Sequence, residues 1–260
     1  MRLLALRPKT SVLQPRKLAP MDLAGIEVRW IERCGSTNRV LLEEGKPGVL
    51  LAADEQTAGR GRRGRRWYSA PGADIAFSLS AEIAKPVGGL SLVAGVAAAR
   101  ALRALGVAQA AVKWPNDLLV NGAKLGGILV ETRGRLAVFG FGINCRRDAA
   151  LEARLRRPIA SLDQFIRPDR SRAIERVARS LLDALATFNA QGLGPILRQW
   201  EQMDAHAGQR LRVRLAGGRV LTGLARGLDR DGGLRLETRA GLLVVHSGRI
   251  LISQPRARTA

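Results

Sequence analysis

From Gly208 onward the hydrophobic pattern changes period, and this limits the available folds more than any other feature of the chain. Before that point, apolar residues recur at helical spacing: Ile174, Val177, Ala178, Leu181, Leu182, Leu185 and Phe188 mark an amphipathic helix over 172–189. Gly194-Pro195 opens another helix, with Ile196, Leu197, Trp200 and Met203 on one face. The Ala/Leu-rich run Leu92–Leu105, closed by Gly106, reads as a largely buried helix. After Gly208 only short runs remain, Leu211–Leu215, Val220–Leu228, Leu234–Thr238 and Leu242–His246, separated by glycine turns. The chain is therefore expected to be α+β, a mixed sheet flanked by helices followed by a small β-barrel unit. The expected boundaries are a disordered tail at 1–21, a larger domain at 22–205, the small domain at 206–254 and a tail at 255–260.

The larger part also contains strand patterns. Ile26–Ile31 alternates, Val49–Ala53 is a buried-type run, and Ile75, Phe77, Leu79 and Ala81 share one face of a strand over 74–83. Ser36 or Thr37 is placed to cap a short helix reaching Leu42. Asp54–Ser69 is polar and rich in Gly and Arg, which predicts a loop. Ala111–Trp114 is a short strand stopped by Pro115. Asp117–Val120 and Lys124–Glu131 flank Asn121-Gly122, a strong hairpin signal, and Leu136–Ile143 is a further strand.

Charge narrows the partners. The formal net charge is +21, from 43 Lys and Arg against 22 Asp and Glu, and only six of the cations are lysines. Scattered arginines fit compositional bias, whereas the cluster at 60–66 points to an anion. Cys34 and Cys145 have no CxxC spacing, and His206 and His246 are the only histidines. Neither a disulfide framework nor a His-rich metal site is indicated, and a reducing cytoplasm fits. No apolar run approaches the ~20 residues needed to span a bilayer. Residues 1–21 carry no acid, and Arg7-Pro8 interrupts the short apolar start, so a secretory signal is not expected.

Four constellations carry chemistry. In Glu55–Trp67 glycines permit close backbone approach, and five arginines within seven residues supply planar forks for phosphate oxygens. There is no P-loop pattern, so this is a side-chain clamp. Ordering the run costs ~1–2 kcal/mol per residue, which charge-assisted bonds to one anion at ~1.5–3 kcal/mol each offset, so the loop is expected to order over its ligand. A solvated Arg/Gly segment that binds nucleic acid is the competing reading. Val112–Asp117 gathers Lys113, Asn116 and Asp117 at a proline-broken strand end. There Lys113 suits phosphate oxygens. Asp117 suits a Mg²⁺, a neighbouring lysine or an incoming amine; an ordinary proline turn is the bland alternative. Lys124 leads into Gly126-Gly127, either a fixed charge beside a reacting carboxylate and α-phosphate or a β-bulge after the hairpin. Gly140–Asn144 is a weak GxG strand end.

Taken in order, Gly35–Asn38, Gly59–Gly64, Lys113–Asp117, Lys124–Glu131 and Gly140–Asn144 resemble the biotin–protein ligase family. The resemblance runs from about residue 26 to residue 253 and includes the SH3-like C-terminal β domain beside a class II synthetase-like catalytic sheet. It implies activation of biotin by MgATP to biotinyl-5′-AMP, then transfer to a lysine of a biotin carboxyl carrier domain of acetyl-CoA carboxylase or a related carboxylase. Carried over by motif position, Ser36, Thr37, Gln56, Gly59, Arg60, Lys124, Gly127 and Gly140 contact biotin. Arg62, Arg65, Trp67, Lys113, Asn116, Asp117 and Asn144 contact the adenylate or phosphates, with Trp67 stacking on adenine. Lys124, Arg62, Lys113 and Asp117 are the implied catalytic set. No protein cage for a metal is implied, and Mg²⁺ enters with ATP near Asp117. About 25 residues precede the first strand, which is short for a domain, so specific DNA recognition is not expected. A homodimer is compatible with the sequence. A lipoate–protein ligase is the nearest rival, and an Arg/Gly nucleic-acid-binding protein is the rival from another class.

Overall fold

A computed structural model describes residues 21, 23–68, 74–84, 88–155 and 159–251. The expected tails at 1–21 and 255–260 lie outside the described residues, apart from Met21.

The first unit is built on a seven-stranded mixed sheet. In chain order its strands are β1 (Glu27–Cys34), β2 (Val49–Gln56), β3 (Asp74–Glu82), β4 (Ala111–Lys113), β5 (Asp117–Val120), β6 (Ala123–Arg133) and β7 (Leu136–Asn144). Their order across the sheet is β1-β2-β3-β7-β6-β5-β4. Only β1 and β2 run parallel; α1 (Thr37–Glu44) provides the crossover between them. This helix stops at Gly45, whose left-handed φ of 71° lets its N–H reach the Leu41 carbonyl.

The two sheet faces differ in what they bury. Phe77 and Phe141 stack with ring centroids 4.9 Å apart on the face covered by α2 (Leu90–Ala104) and α4 (Arg170–Gln191). Full burial of side chains such as these contributes ~1.5–3 kcal/mol each. On the opposite face α1 closes a smaller core of Leu41, Val49, Leu51, Leu136 and Val138. Beyond it, glycines and small polar residues take the inward positions, and there the site opens.

α5 (Gly194–Glu201) leads into residues 203–205, which run alongside β4: Val112 N–H donates to Met203 O at 2.8 Å and Ala205 N–H to Val112 O at 2.9 Å. The second unit is a five-stranded antiparallel sheet, consistent with the SH3-like expectation. Its strands are β8 (Arg210–Arg214), β9 (Val220–Leu228), β10 (Leu234–Thr238), β11 (Gly241–Val245) and β12 (Arg249–Leu251), in the order β11-β10-β9-β8-β12.

Three features differ from the sequence expectation. The segment read as a loop is mostly ordered backbone. β2 extends to Gln56, and residues 59–67 fold back as a hairpin through the Arg60–Arg66 bridge, with a 3₁₀ turn at Arg62–Gly64. Arginine and glycine carry no periodic apolar signal, so this pairing left no trace in the pattern. α3 (Ala149–Leu155) buries none of its residues, which explains why amphipathicity did not reveal it. β12, three residues long, is too short to show alternation.

Candidate active site

A cavity of about 620 Å³ opens beside α1 between the glycine-rich strands of the sheet, the Arg/Gly hairpin and the start of β12. Its floor is the pairing of β6 with β7, where Gly127 faces Gly142 and Leu129 faces Gly140. These glycines are glycines for steric reasons. A Cβ on Gly142 would stand 2.4 Å from the Trp67 indole, and one on Gly140 would stand 2.1 Å from Asn38 Oδ1. The close approach at Gly140 is therefore to Asn38, although Gly140 also lines the cavity. The Trp67 ring lies on the glycine floor, with Lys124 Nζ 5.7 Å from its centroid, and its buried Nε1 has no hydrogen-bond partner.

One end of the cavity is neutral and polar. The Thr37 N–H and Oγ1 both donate to Gln56 Oε1, at 2.9 and 3.2 Å. Thr37 Oγ1 lies 2.6 Å from Ser78 Oγ, which donates to Asn38 Oδ1 at 2.6 Å. The Asn38 amide reaches on to Leu129 O at 3.1 Å and Glu131 Oε2 at 3.0 Å, and Arg60 closes the chain onto Glu131 at 2.8 Å. Ser36, Thr37 and Asn38 are buried because the first turn of α1 points into the sheet. Neutral groups tied into such a chain are held in fixed orientation.

The centre and far end are cationic. A register shift between Leu118 and Leu119 places a bulge at Leu125. Residues 124 and 127 of a regular strand face opposite ways, but the extra residue brings Lys124 and Gly127 to one face. A Cβ on Gly127 would stand 3.2 Å from Lys124 Nζ. The β-bulge expected as one reading of this segment is present, and it is what turns Lys124 toward the glycine floor. Lys124 Nζ is fixed by Asp117 Oδ1 at 2.5 Å, and Asp117 is the only carboxylate on the cavity wall among the described residues. Lys113, 8% exposed, and Arg65 line the same end. Arg62 donates to Asn116 Oδ1 at 3.4 Å; burial, then neighbouring Arg63, lowers its pKa. Asn116 is held in turn by donating to Ile128 O at 2.7 Å.

Of the expected site residues, Ser36, Thr37, Gln56, Arg60, Arg62, Arg65, Trp67, Lys113, Asn116, Asp117, Lys124, Gly127 and Gly140 converge on this cavity. Gly59 and Asn144 sit behind the wall. Gly59 is packed on the Trp67 carbonyl, where a Cβ would stand 2.8 Å away. The buried Asn144 amide donates to Lys124 O at 3.2 Å and Ala160 O at 2.9 Å, so it positions Lys124 from beneath.

Sequence reasoning passed over Asn38, Ser78 and His206. Ser78 and Ser80 interrupt an apolar strand at alternate positions, a readable sign of a polar inner face. His206 gave no such sign. It lines the cavity from the junction of the two units, and burial, then the Lys113 charge, pushes its pKa down to about 4. Burial raises neighbouring Asp204 to about 6. Cys145 is pushed up to about 12 by burial and Cys34 is raised by the same cause, so neither thiol is a ready nucleophile.

A mixed sheet carrying a glycine floor, a neutral polar end and a lysine–arginine end defines an enzyme of the cofactor-attaching ligase class. Residues 30–148 match the biotin/lipoate A/B protein ligase family and residues 206–253 the biotin protein ligase C-terminal domain. The chain is 38% identical over 228 residues to the bifunctional ligase/repressor BirA of Escherichia coli, spanning 83% of this chain and 71% of that protein. It is 34% identical over 239 residues to the biotin–[acetyl-CoA-carboxylase] ligase of Mycobacterium tuberculosis, spanning 85% and 87%. The biotin protein ligase of Aquifex aeolicus, solved with biotin and ATP, superposes with a TM-score of 0.77 at 26% identity, covering 86% of this chain and 97% of that one. This chain belongs to the biotin protein ligase family.

Proposed function

We propose that the enzyme joins biotin to a protein lysine in two half-reactions. The observation that carries this reading is the position of Lys124, between a neutral hydrogen-bonding end and an arginine-rich end of one cavity. Biotin has a neutral ureido ring at one end and a carboxylate at the other. The ring suits Ser36, Thr37 and Gln56, and its chain runs over Gly127 and Gly140 toward Lys124, with Arg60 closing the hairpin over it. A carboxylate oxygen attacks the α-phosphorus of ATP, forming a C–O–P linkage as the bond to the bridging oxygen breaks and pyrophosphate leaves. Arg62, Arg65 and Lys113 stabilise that leaving charge, Asn116 orients Arg62, and Trp67 offers its ring to adenine. Gly59 and Asn144 act as supports.

Mg²⁺ neutralises phosphate charge when it enters with ATP. Asp117, the carboxylate on the cavity wall among the described residues, would be the side chain to hold the ion beside the phosphates. In the second half-reaction a neutral lysine amine attacks the mixed anhydride, an amide forms, AMP leaves and the amine gives up its proton. Asp117, already bonded to Lys124, is the carboxylate placed to take it. The acceptor implied by the relatives' names is a carboxylase, and its biotin carboxyl carrier domain is the proposed substrate.

The polar end favours biotin over lipoate, because a ureido ring can use hydrogen-bonding groups there that a dithiolane ring cannot. The test is pyrophosphate exchange with biotin or lipoate as the acid. Exchange with biotin, and its loss of at least about a hundredfold in Lys124→Ala, is the expected result. Exchange with lipoate alone would overturn the assignment.

A further inference from the structure

Side-chain hydrogen bonds link the hairpin to the neutral end of the cavity, and from Thr37 to Glu131 every donor points toward Glu131. Backbone groups fix this direction at both ends. Leu129 O can only accept, so the Asn38 atom 3.1 Å from it is the amide nitrogen. That nitrogen also donates to Glu131 Oε2 at 3.0 Å, and Glu131 is held in turn by Arg60. Asn38 Oδ1 therefore faces Ser78 and takes its only hydroxyl proton at 2.6 Å. With that proton spent, the 2.6 Å contact between Ser78 Oγ and Thr37 Oγ1 is a hydrogen bond only if Thr37 donates. At the other end the Thr37 N–H can only donate, so the Gln56 atom facing it is Oε1, which is a second acceptor for the Thr37 hydroxyl at 3.2 Å. The proton of that hydroxyl is thus committed to the protein, and Thr37 offers the cavity lone pairs alone.

Ser78 is the middle of this relay. It is fully buried on β3, stands opposite Gly140 and is not on the cavity wall, so it meets no ligand itself. Turning its hydroxyl away from Asn38 would set lone pair against lone pair in an interior where nothing screens the repulsion. Ser80, two residues on, is used differently: its hydroxyl donates to the backbone carbonyls of Lys46 and Val49. Both serines interrupt the apolar strand, but only Ser78 acts on a group that faces the cavity. We propose that Ser78 and Asn38 are positioning residues that set specificity by holding Thr37 as a hydrogen-bond acceptor. The site then takes a ring that presents an N–H to Thr37 and refuses an isosteric ring that presents an oxygen there. The proposal rests on the ligase reading above and narrows its substrate to a cyclic urea over the cyclic carbamate of the same shape. The refusal comes from opposed lone pairs as well as from a lost bond.

The test is selectivity in pyrophosphate exchange by the full chain, with biotin and its two mono-oxa analogues, in each of which a ring oxygen replaces one ureido N–H. Wild type is expected to prefer biotin over both by about a hundredfold or more in kcat/KM. In Ser78→Ala the Thr37 hydroxyl loses its nearest acceptor and can turn to donate into the cavity. The penalty on one analogue, the one with its oxygen at Thr37, should then fall by at least about tenfold, while the other analogue stays refused. Asn38→Ala releases the Ser78 proton toward Thr37 and should relax the same analogue. The wild-type preference is read without any variant, so a wild type that uses either analogue as readily as biotin would overturn the proposal by itself. A variant that loses the site by loosening it would weaken all three acids alike; that result in both variants, or equal relief of the two analogues, would also overturn it. Absent exchange with biotin in wild type would instead refute the ligase reading.

Discussion

Asp204 and His206, two residues apart, are shifted in opposite senses by burial. Asp204 has a folded pKa of about 6, above its ordinary 3.8. Its contribution is most favourable below 3.8, is lost as pH rises to 6, and is constant above that. His206 has a folded pKa of about 4, below its ordinary 6.5, so stability is lost as pH falls from 6.5 to 4. The two slopes oppose each other over the shared window between pH 4 and 6. Separating them exposes each. Asp204→Asn, which keeps the Oδ1 acceptor for the His206 N–H, should lose stability on acidification from pH 6.5 to 4. His206→Gln should lose less, or gain, over the same range. Both groups are partly exposed, so screening reduces the divergence to about 1–2 kcal/mol. Urea denaturation of both variants at pH 4.5 and 7 measures it, and parallel pH dependence would contradict the assignment. Neither residue was singled out from sequence. A lone histidine and an aspartate in a turn-like segment carry no pattern, and only the pairing of residues 203–205 with β4 buries them.

At the level of the element, the Arg/Gly hairpin divides its arginines by geometry. Both arginines line the cavity, but Arg62 reaches Asn116 whereas its neighbour Arg63 is held at the rim by Ser247. Arg63 also has a φ of 58°, a left-handed conformation that costs an L-residue roughly 1–2 kcal/mol and glycine nothing. Arg63→Gly should therefore leave stability within about 1 kcal/mol, since relief of backbone strain offsets the lost contact. Its exchange activity should stay within about twofold of wild type, while Arg62→Ala should fall by at least about a hundredfold. Pyrophosphate exchange on the two variants side by side decides this, and equal losses would mean that the hairpin acts only through its total charge. The sequence revealed the composition of this element but not its pairing. The same holds for β6: Lys124, Gly126 and Gly127 were legible as residues, but their common face depends on a bulge that appears only once the β5 register is known.

For the whole molecule, the question is whether the two units act as separate bodies. The change of hydrophobic period at Gly208 suggested a small second domain near the lower limit of independent stability. The structure places its inner residues Leu211, Val213, Ala225, Leu234, Leu236 and Ile250 in the same hydrophobic cluster as the sheet and helices of the first unit. Trp114 Nε1 donates to Gly232 O at 3.0 Å across the junction, and Gly232 packs so closely that a Cβ there would stand 2.6 Å from Leu92. Residues 203–205 form a further seam by bonding to β4. Exposing this shared surface would cost more than a unit of roughly 50 residues can balance alone, so the chain should unfold in one cooperative transition. The cavity spans the same junction, with His206 and Gly248–Leu251 on its wall, so nucleotide and biotin together should raise the midpoint of that single transition. Scanning calorimetry with and without both ligands is the measurement. Two resolved transitions, or a ligand-induced shift confined to one of them, would mean that the second unit is an independent appendage and that His206 and residues 248–251 are not held at the cavity wall. A single shifted transition would mean that the wall supplied by the second unit is fixed relative to Lys124.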